Sequence, residues 1–169
     1  MQIGRLIRHA AATHWRTRMA FPSATLDAIE QAIARVERAH SGEIRFAIET
    51  ALTPLHVLNG VAPRARALDV FAQLRVWDTE GNNGVLIYVQ LADRDVEIVA
   101  DRGFQGRVSA AEWEAVCRLM EGYFRSGKFE TGSVAGVDAI GSLLARHFPA
   151  QAGQSSPTRN QLPDRPTLL

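Results

Sequence analysis

The run Val85-Leu-Ile-Tyr-Val-Gln-Leu91, fed by a turn that ends at Gly84, constrains this chain more than any other. Its β-branched and aromatic residues run without polar alternation. A short run of that kind predicts a central strand covered on both faces. A second run, Val96-Glu-Ile-Val-Ala100, returns after the tight turn Ala92-Asp-Arg-Asp95, so the two strands are antiparallel. Upstream, Glu43-Ile-Arg-Phe-Ala-Ile-Glu49 alternates strictly and predicts a half-buried strand with Ile44, Phe46 and Ile48 facing a core. Between the first and second strands lies a helical pattern that opens at Pro63 and runs to about Val76, with Ala65, Leu68, Phe71 and Ala72 as its apolar stripe. A helix inserted there requires a right-handed crossover and a parallel strand pair.

Further helices flank this unit. Ser23 is placed as the cap of a helix carrying Leu26, Ile29, Ile33 and Val36, which ends at His40-Ser41-Gly42. Ser109-Ala-Ala-Glu112 has the spacing of a capping box before Trp113, Val116, Cys117, Met120 and Phe124. The last helical pattern, about 130–148, contains Gly132, Gly136 and Gly141, which weaken a helix and are expected to admit a close neighbour. Residues 50–62 read as a loop. The expected architecture is an α/β fold, a three-layer α/β/α sandwich around a small mixed parallel and antiparallel sheet. Three regions are expected: a basic amphipathic segment over 1–19, the sandwich over 20–149, and a disordered proline-rich tail over 150–169.

Charge narrows the function classes. The 169 residues have a net charge of +1, which argues against a nucleic-acid binder. Residues 1–19 are the exception, with Arg5, Arg8, Arg16 and Arg18 and no acid. A basic amphipathic segment of this type can lie on an anionic membrane surface. Cys117 is the one cysteine, so neither an intrachain disulfide nor a cysteine zinc site can form. No run is long enough for a transmembrane helix and no secretory signal is visible, so the expected location is the cytoplasm with membrane association. The five histidines form no pair at ligand spacing and are expected on the surface or at caps.

The topology gathers polar residues at one end of the sheet. Glu43, the turn Asp78-Thr-Glu-Gly-Asn-Asn83 and Asp101 should be neighbours, while Asp93, Asp95 and Glu49 lie at the opposite end. Glu43, Asp78, Glu80, Asn82, Asn83 and Asp101 offer the hard oxygen ligands that suit Ca²⁺ or Mg²⁺. The same residues also serve as ordinary turn formers. Arg102 and Arg107 are the candidate phosphate contacts. No organic-cofactor motif, serine elbow or metalloprotease helix is present, and no residue is assigned a catalytic role.

Gly42-Glu-Ile44, Asn82-Asn-Gly-Val-Leu-Ile-Tyr88, Asp93-Arg94, Val96-Glu-Ile98, Arg102-Gly103 and Ala135-Gly-Val-Asp-Ala-Ile140 together resemble the TPM domain family. That family includes YgcG-like bacterial proteins, a thylakoid-lumen protein of photosystem II repair and a nematode receptor accessory protein. The resemblance spans roughly 20–148 and implies the same sandwich. It also implies calcium binding and acid phosphatase activity, as associated with the plant member, or an accessory role in a membrane system. The acidic-edge site carries over to Glu43, Asn82, Asn83 and Asp101. Lacking a visible signal, anchor or glycine-rich tail, the chain is closest to a short, anchorless branch. Two functions are therefore expected: a non-enzymatic interaction module with an unidentified protein partner, or a metal-assisted phosphatase.

Overall fold

A computed structural model describes residues 2–12, 14–150 and 160–169. Two short helices, α1 (Gln2–Ala11) and α2 (His14–Ala20), precede α3 (Ser23–Val36). The chain continues through β1 (Glu43–Glu49), α4 (Pro54–Leu58), α5 (Pro63–Gln73), β2 (Gly84–Gln90) and β3 (Asp95–Ala100). It closes with α6 (Ala110–Arg125), α7 (Phe129–His147) and β4 (Thr167–Leu168). The sheet order is β3-β2-β1-β4. β1 runs parallel to β2, with Glu43 opposite Gly84, and β2 runs antiparallel to β3, with Val85 opposite Ala100.

Helices cover both faces, unequally. α3, α6 and α7 bury Ile29, Ile33, Met120, Val137, Ile140 and Leu144 against Ile44, Phe46, Ile48, Val85, Ile87 and Ile98. On the other face α5 sets Ala67 and Val70 against Ala47, Leu86, Tyr88 and Val99. β2 is buried along its whole length, as its unbroken apolar run predicts. The glycines of α7 admit neighbours: a Cβ at Gly141 would lie 2.6 Å from Val36 Cβ, and one at Gly136 2.3 Å from Met120 Sδ. The capping box at Ser109 and Glu112 is present.

Four local expectations are corrected. Pro22 occupies the cap position of α3 and Ser23 lies inside the helix, without a side-chain cap. Residues 54–58 form a helix, started by Pro54 and capped by Thr53, whose Oγ1 accepts from His56 N at 3.3 Å. In α5 the buried stripe is Ala67 and Val70 with Phe71 and Leu74 against them, while Leu68 is exposed; both stripes have helical spacing, and only the packing direction separates them. β1 is buried on both faces. Its polar face has partners: Glu49 receives Arg66 Nε and Nη2, each at 2.9 Å, and the Tyr88 hydroxyl.

The tail corrects the sequence reading most. Residues 151–159 lie outside the described residues, but 160–169 are docked along the outer edge of β1. β4 pairs in parallel with Ala47 and Ile48, and Leu169 N donates to Ile48 O at 2.9 Å. Arg45 donates to Pro163 O, to Arg165 O at 2.6 Å and to Thr167 Oγ1. Leu162 is buried in the α5-side core, and Arg165 bridges Asp27 and Glu30 at 2.8 and 2.7 Å. Its few apolar groups and the carbonyls of residues 163 and 165 thereby satisfy β1 and the core beside it. Among the described residues no helix is long and apolar enough to cross a membrane. Leu162→Ala is expected to cost about 2–5 kcal/mol in chemical denaturation; an unchanged midpoint would mean that the tail is not docked.

Candidate functional site

The loop from α5 to β2 is shaped by a few backbone requirements. Arg75 and Asn82 take positive φ, 54° and 48°. Thr79 is buried; its Oγ1 accepts from Asn83 N at 3.0 Å and its carbonyl from Asn82 N at 3.1 Å. Gly84 begins β2 where a Cβ would stand 2.0 Å from Val76 O, so no larger residue fits without moving the backbone.

Main-chain bonds then tie three segments into one platform. Glu43 N donates to Asn83 O at 3.2 Å, Asp101 N to Gly84 O at 2.9 Å and Gly103 N to Asn82 O at 2.9 Å. Side chains reinforce it: Asn83 Nδ2 donates to Ser41 O at 2.6 Å, and Arg102 Nε to Asn82 Oδ1 at 2.8 Å. Asp101 Oδ1 caps a short 3-10 turn by accepting from Arg102 N at 2.7 Å. The sheet end thus holds Glu43, Asn82, Asn83, Asp101 and Arg102 together, as chain order predicts. Two buried oxygens on this platform, Asn83 Oδ1 and Asp101 Oδ2, have no hydrogen-bond partner.

The other candidates are placed differently. Asp78 is exposed and paired with Arg75 at 2.9 Å. Glu80 is exposed, and its main-chain N donates to Gln161 Oε1 at 2.8 Å. The Glu43 carboxylate is engaged by the tail, with Oε2 accepting from Gln161 N and Leu162 N, each at 3.2 Å. Arg107 is drawn toward the end of α7: its guanidinium lies 4.8 Å from the Phe148 ring centre and donates to His147 O at 3.2 Å. Among the described residues no three His, Cys, Asp or Glu side chains are grouped so as to hold a metal ion. Any cation here would rely on amide and carbonyl oxygens with Asp101 as the carboxylate.

The TPM domain model matches residues 18–143. The chain belongs to the TPM domain family. It is similar to the BA42 protein of the psychrophilic bacterium Bizionia argentinensis, at 30% identity and a TM-score of 0.75, over 88% of this chain and 95% of that one. It also shares a fold with the N-terminal domain of a P. gingivalis protein, at 22% identity and a TM-score of 0.54, over 72% and 76% of the two chains. Comparison with curated proteins finds no match.

This TPM domain buries Glu43 and, beside it, ionisable groups that its sequence pattern does not single out. Glu37 accepts from Ile44 N at 2.8 Å. Burial outweighs that bond and pushes its carboxyl up to about 8, with Glu43 nearby adding to the rise. Burial likewise pushes Glu43 up to about 7, against the two N–H bonds it accepts from the tail. His9 is buried rather than on the surface, at 4% exposure, and His40, which does close a short 3-10 turn as a cap, is buried too, at 3%. His40 is held down to about 4 by burial, its Nδ1 lying 3.1 Å from Gly42 O. A helical pattern marks such positions only as polar, so nothing in the sequence separates them from solvated residues.

A carboxyl raised on folding binds protons that the unfolded chain releases. Glu37 and Glu43 therefore stabilise the fold at low pH and lose that contribution as pH rises through about 7 and 8. The lowered His40 acts oppositely, but only below its ordinary value of 6.5. The melting temperature should thus fall between about pH 6.5 and about pH 8.5, and Glu37→Gln should flatten the fall. A melting temperature that rises over that window would contradict the assignment.

Proposed function

We propose that this TPM domain is a non-catalytic binding module whose platform end takes Ca²⁺ or Mg²⁺, with a protein partner meeting the chain there. The observation that carries the reading is the pair of buried, unpartnered oxygens, Asn83 Oδ1 and Asp101 Oδ2, on one hydrogen-bonded platform. Leaving a carboxylate oxygen buried without a partner is costly, and a hard cation offsets that cost. Asp101 and Asn83 would hold the ion, with Asp78 and Glu80 adding negative potential from the rim. Glu43 falls outside this set because the tail already satisfies its carboxylate.

A thermal melt tests the reading. At about a hundredfold excess over Kd, a bound ion stabilises by about 2.7 kcal/mol. The full chain should melt higher with Ca²⁺ or Mg²⁺, and Asp101→Asn, which retains the cap to Arg102, should abolish the shift. No shift at saturating cation, or an equal shift in the variant, removes the site.

A metal-assisted phosphatase is the second reading, favoured by the place of Arg102 beside Asp101 and Asn82 on the platform. Arg102 is exposed beside Asp101 and, among the described residues, makes no ion pair. In that role the ion would supply positive charge and Arg102 would orient the phosphate. Cation-dependent hydrolysis of p-nitrophenyl phosphate, lost in Asp101→Asn and reduced in Arg102→Ala, would favour it over the binding module. Turnover indifferent to both substitutions would count against it.

A further inference from the structure

Three short helices pack at the opposite end of the sheet, and polar groups dock two of them. In α1, Arg5 Nε donates to Asp93 Oδ2 at 2.8 Å, and His9 Nε2 lies 3.1 Å from Asp93 Oδ1. His9 Nδ1 accepts from Leu52 N at 2.9 Å. In α2, Thr17 is buried with its hydroxyl 2.6 Å from that of Thr50. α4 packs beside α1 and buries Val57.

Docking by polar groups turns the apolar side chains outward. At 3.6 residues per turn, Ile3 and Ile7 stand opposite Arg5 and His9. They are 75% and 63% exposed. Trp15 and Met19 stand opposite Thr17 in the same way, 67% and 66% exposed, and Leu55 and Leu58 of α4 are 65% and 58% exposed. Singly exposed apolar residues are ordinary, but outward pairs on α1, on the α4 packed beside it, and on α2, which is tied to Thr50 just before α4, ask for a partner.

Charge selects the partner. Residues 2–12, 14–20 and 50–62, which build this surface, contain no Asp or Glu. Arg16 and Arg18 are exposed, and so is most of Arg8. Asp93, the acid beneath, has an 11% exposed side chain and is held by Arg5, Arg8 and His9. Outward isoleucine, leucine, methionine and tryptophan flanked by the exposed Arg8, Arg16 and Arg18 match the acyl boundary and the phosphates of an anionic bilayer. We infer that α1, α2 and α4 form a docking surface for an anionic lipid bilayer, seated through Ile3, Ile7, Trp15, Met19, Leu55 and Leu58.

Co-sedimentation of the full chain, with EDTA present, tests this. Vesicles rich in phosphatidylglycerol should carry the protein down, and vesicles of phosphatidylcholine alone should carry much less. The double variant Ile3→Glu, Ile7→Glu should partition more than tenfold more weakly, since it withdraws two isoleucines from lipid and sets two carboxylates against the lipid phosphates. Both positions are exposed, so its circular dichroism should match the parent. Leu119→Glu, on exposed α6 surface, and Asp101→Asn should bind as the parent does, which separates this surface from the cation platform. Four results would overturn the inference: no sedimentation with anionic vesicles, equal binding to neutral ones, full binding by the double variant, or vesicle-free dimerisation that the double variant abolishes.

Discussion

Parallel pairing of β1 with β2, in the register that sets Glu43 opposite Gly84, is the constraint on which the rest depends. A parallel pair needs a crossover, and α5 supplies it, covering one face of the sheet. The tight return into β3 then brings Asp101 back to the end where Glu43 and Gly84 start. Everything at the platform follows from that return. Asn82, Asn83 and Asp101 meet because three chain segments begin or end at one level of the sheet, and main-chain bonds hold them there. Gly84 makes the arrangement sterically feasible, because the chain passes against Val76 O at a distance that excludes a Cβ.

The same pairing leaves β1 with a second, polar face. Arg45 and Glu49 point to the side that α5 only partly covers, and burying them requires partners. Arg66 and Tyr88 satisfy Glu49, and the carbonyls of residues 163 and 165 satisfy Arg45. The C-terminal segment thereby becomes part of the fold. It adds a fourth strand, fills the α5-side core with Leu162 and occupies the Glu43 carboxylate. A chemical consequence follows at the candidate site. The acid that chain order places nearest the turn is withdrawn from it, and Asp101 is left as the carboxylate with an unpartnered buried oxygen.

The two ends of the sheet differ in kind. At the platform, polar groups face inward onto the backbone and leave oxygens unsatisfied. At the other end, polar groups also face inward, onto Asp93, Thr50 and Leu52 N, but they turn apolar side chains outward. Periodicity finds the amphipathic stripe of α1 and cannot say which side of it meets the protein. Arg5 and His9 would ordinarily be placed in solvent. Asp93, far away in sequence, reverses that, because a buried carboxylate draws the cationic face of the helix to it.

Residues alone determine the first three strands, the crossover and the sheet end at which the polar groups meet. Those features depend on local periodicity, turn chemistry and connection length, and each is written in adjacent residues. The buried face of α5, the inverted α1, the docked tail and the burial of Glu37, His9 and His40 depend on partners distant along the chain, whereas the helix at 54–58 rests on the adjacent Thr53 and Pro54. Arg45 reads as an exposed residue until the carbonyls of residues 163 and 165 arrive to receive it, and Glu43 reads as a free ligand until Gln161 and Leu162 donate to it. A single sequence records which groups need partners. Only the tertiary structure decides which partners they find, because that choice turns on desolvation and geometry between segments more than a hundred residues apart.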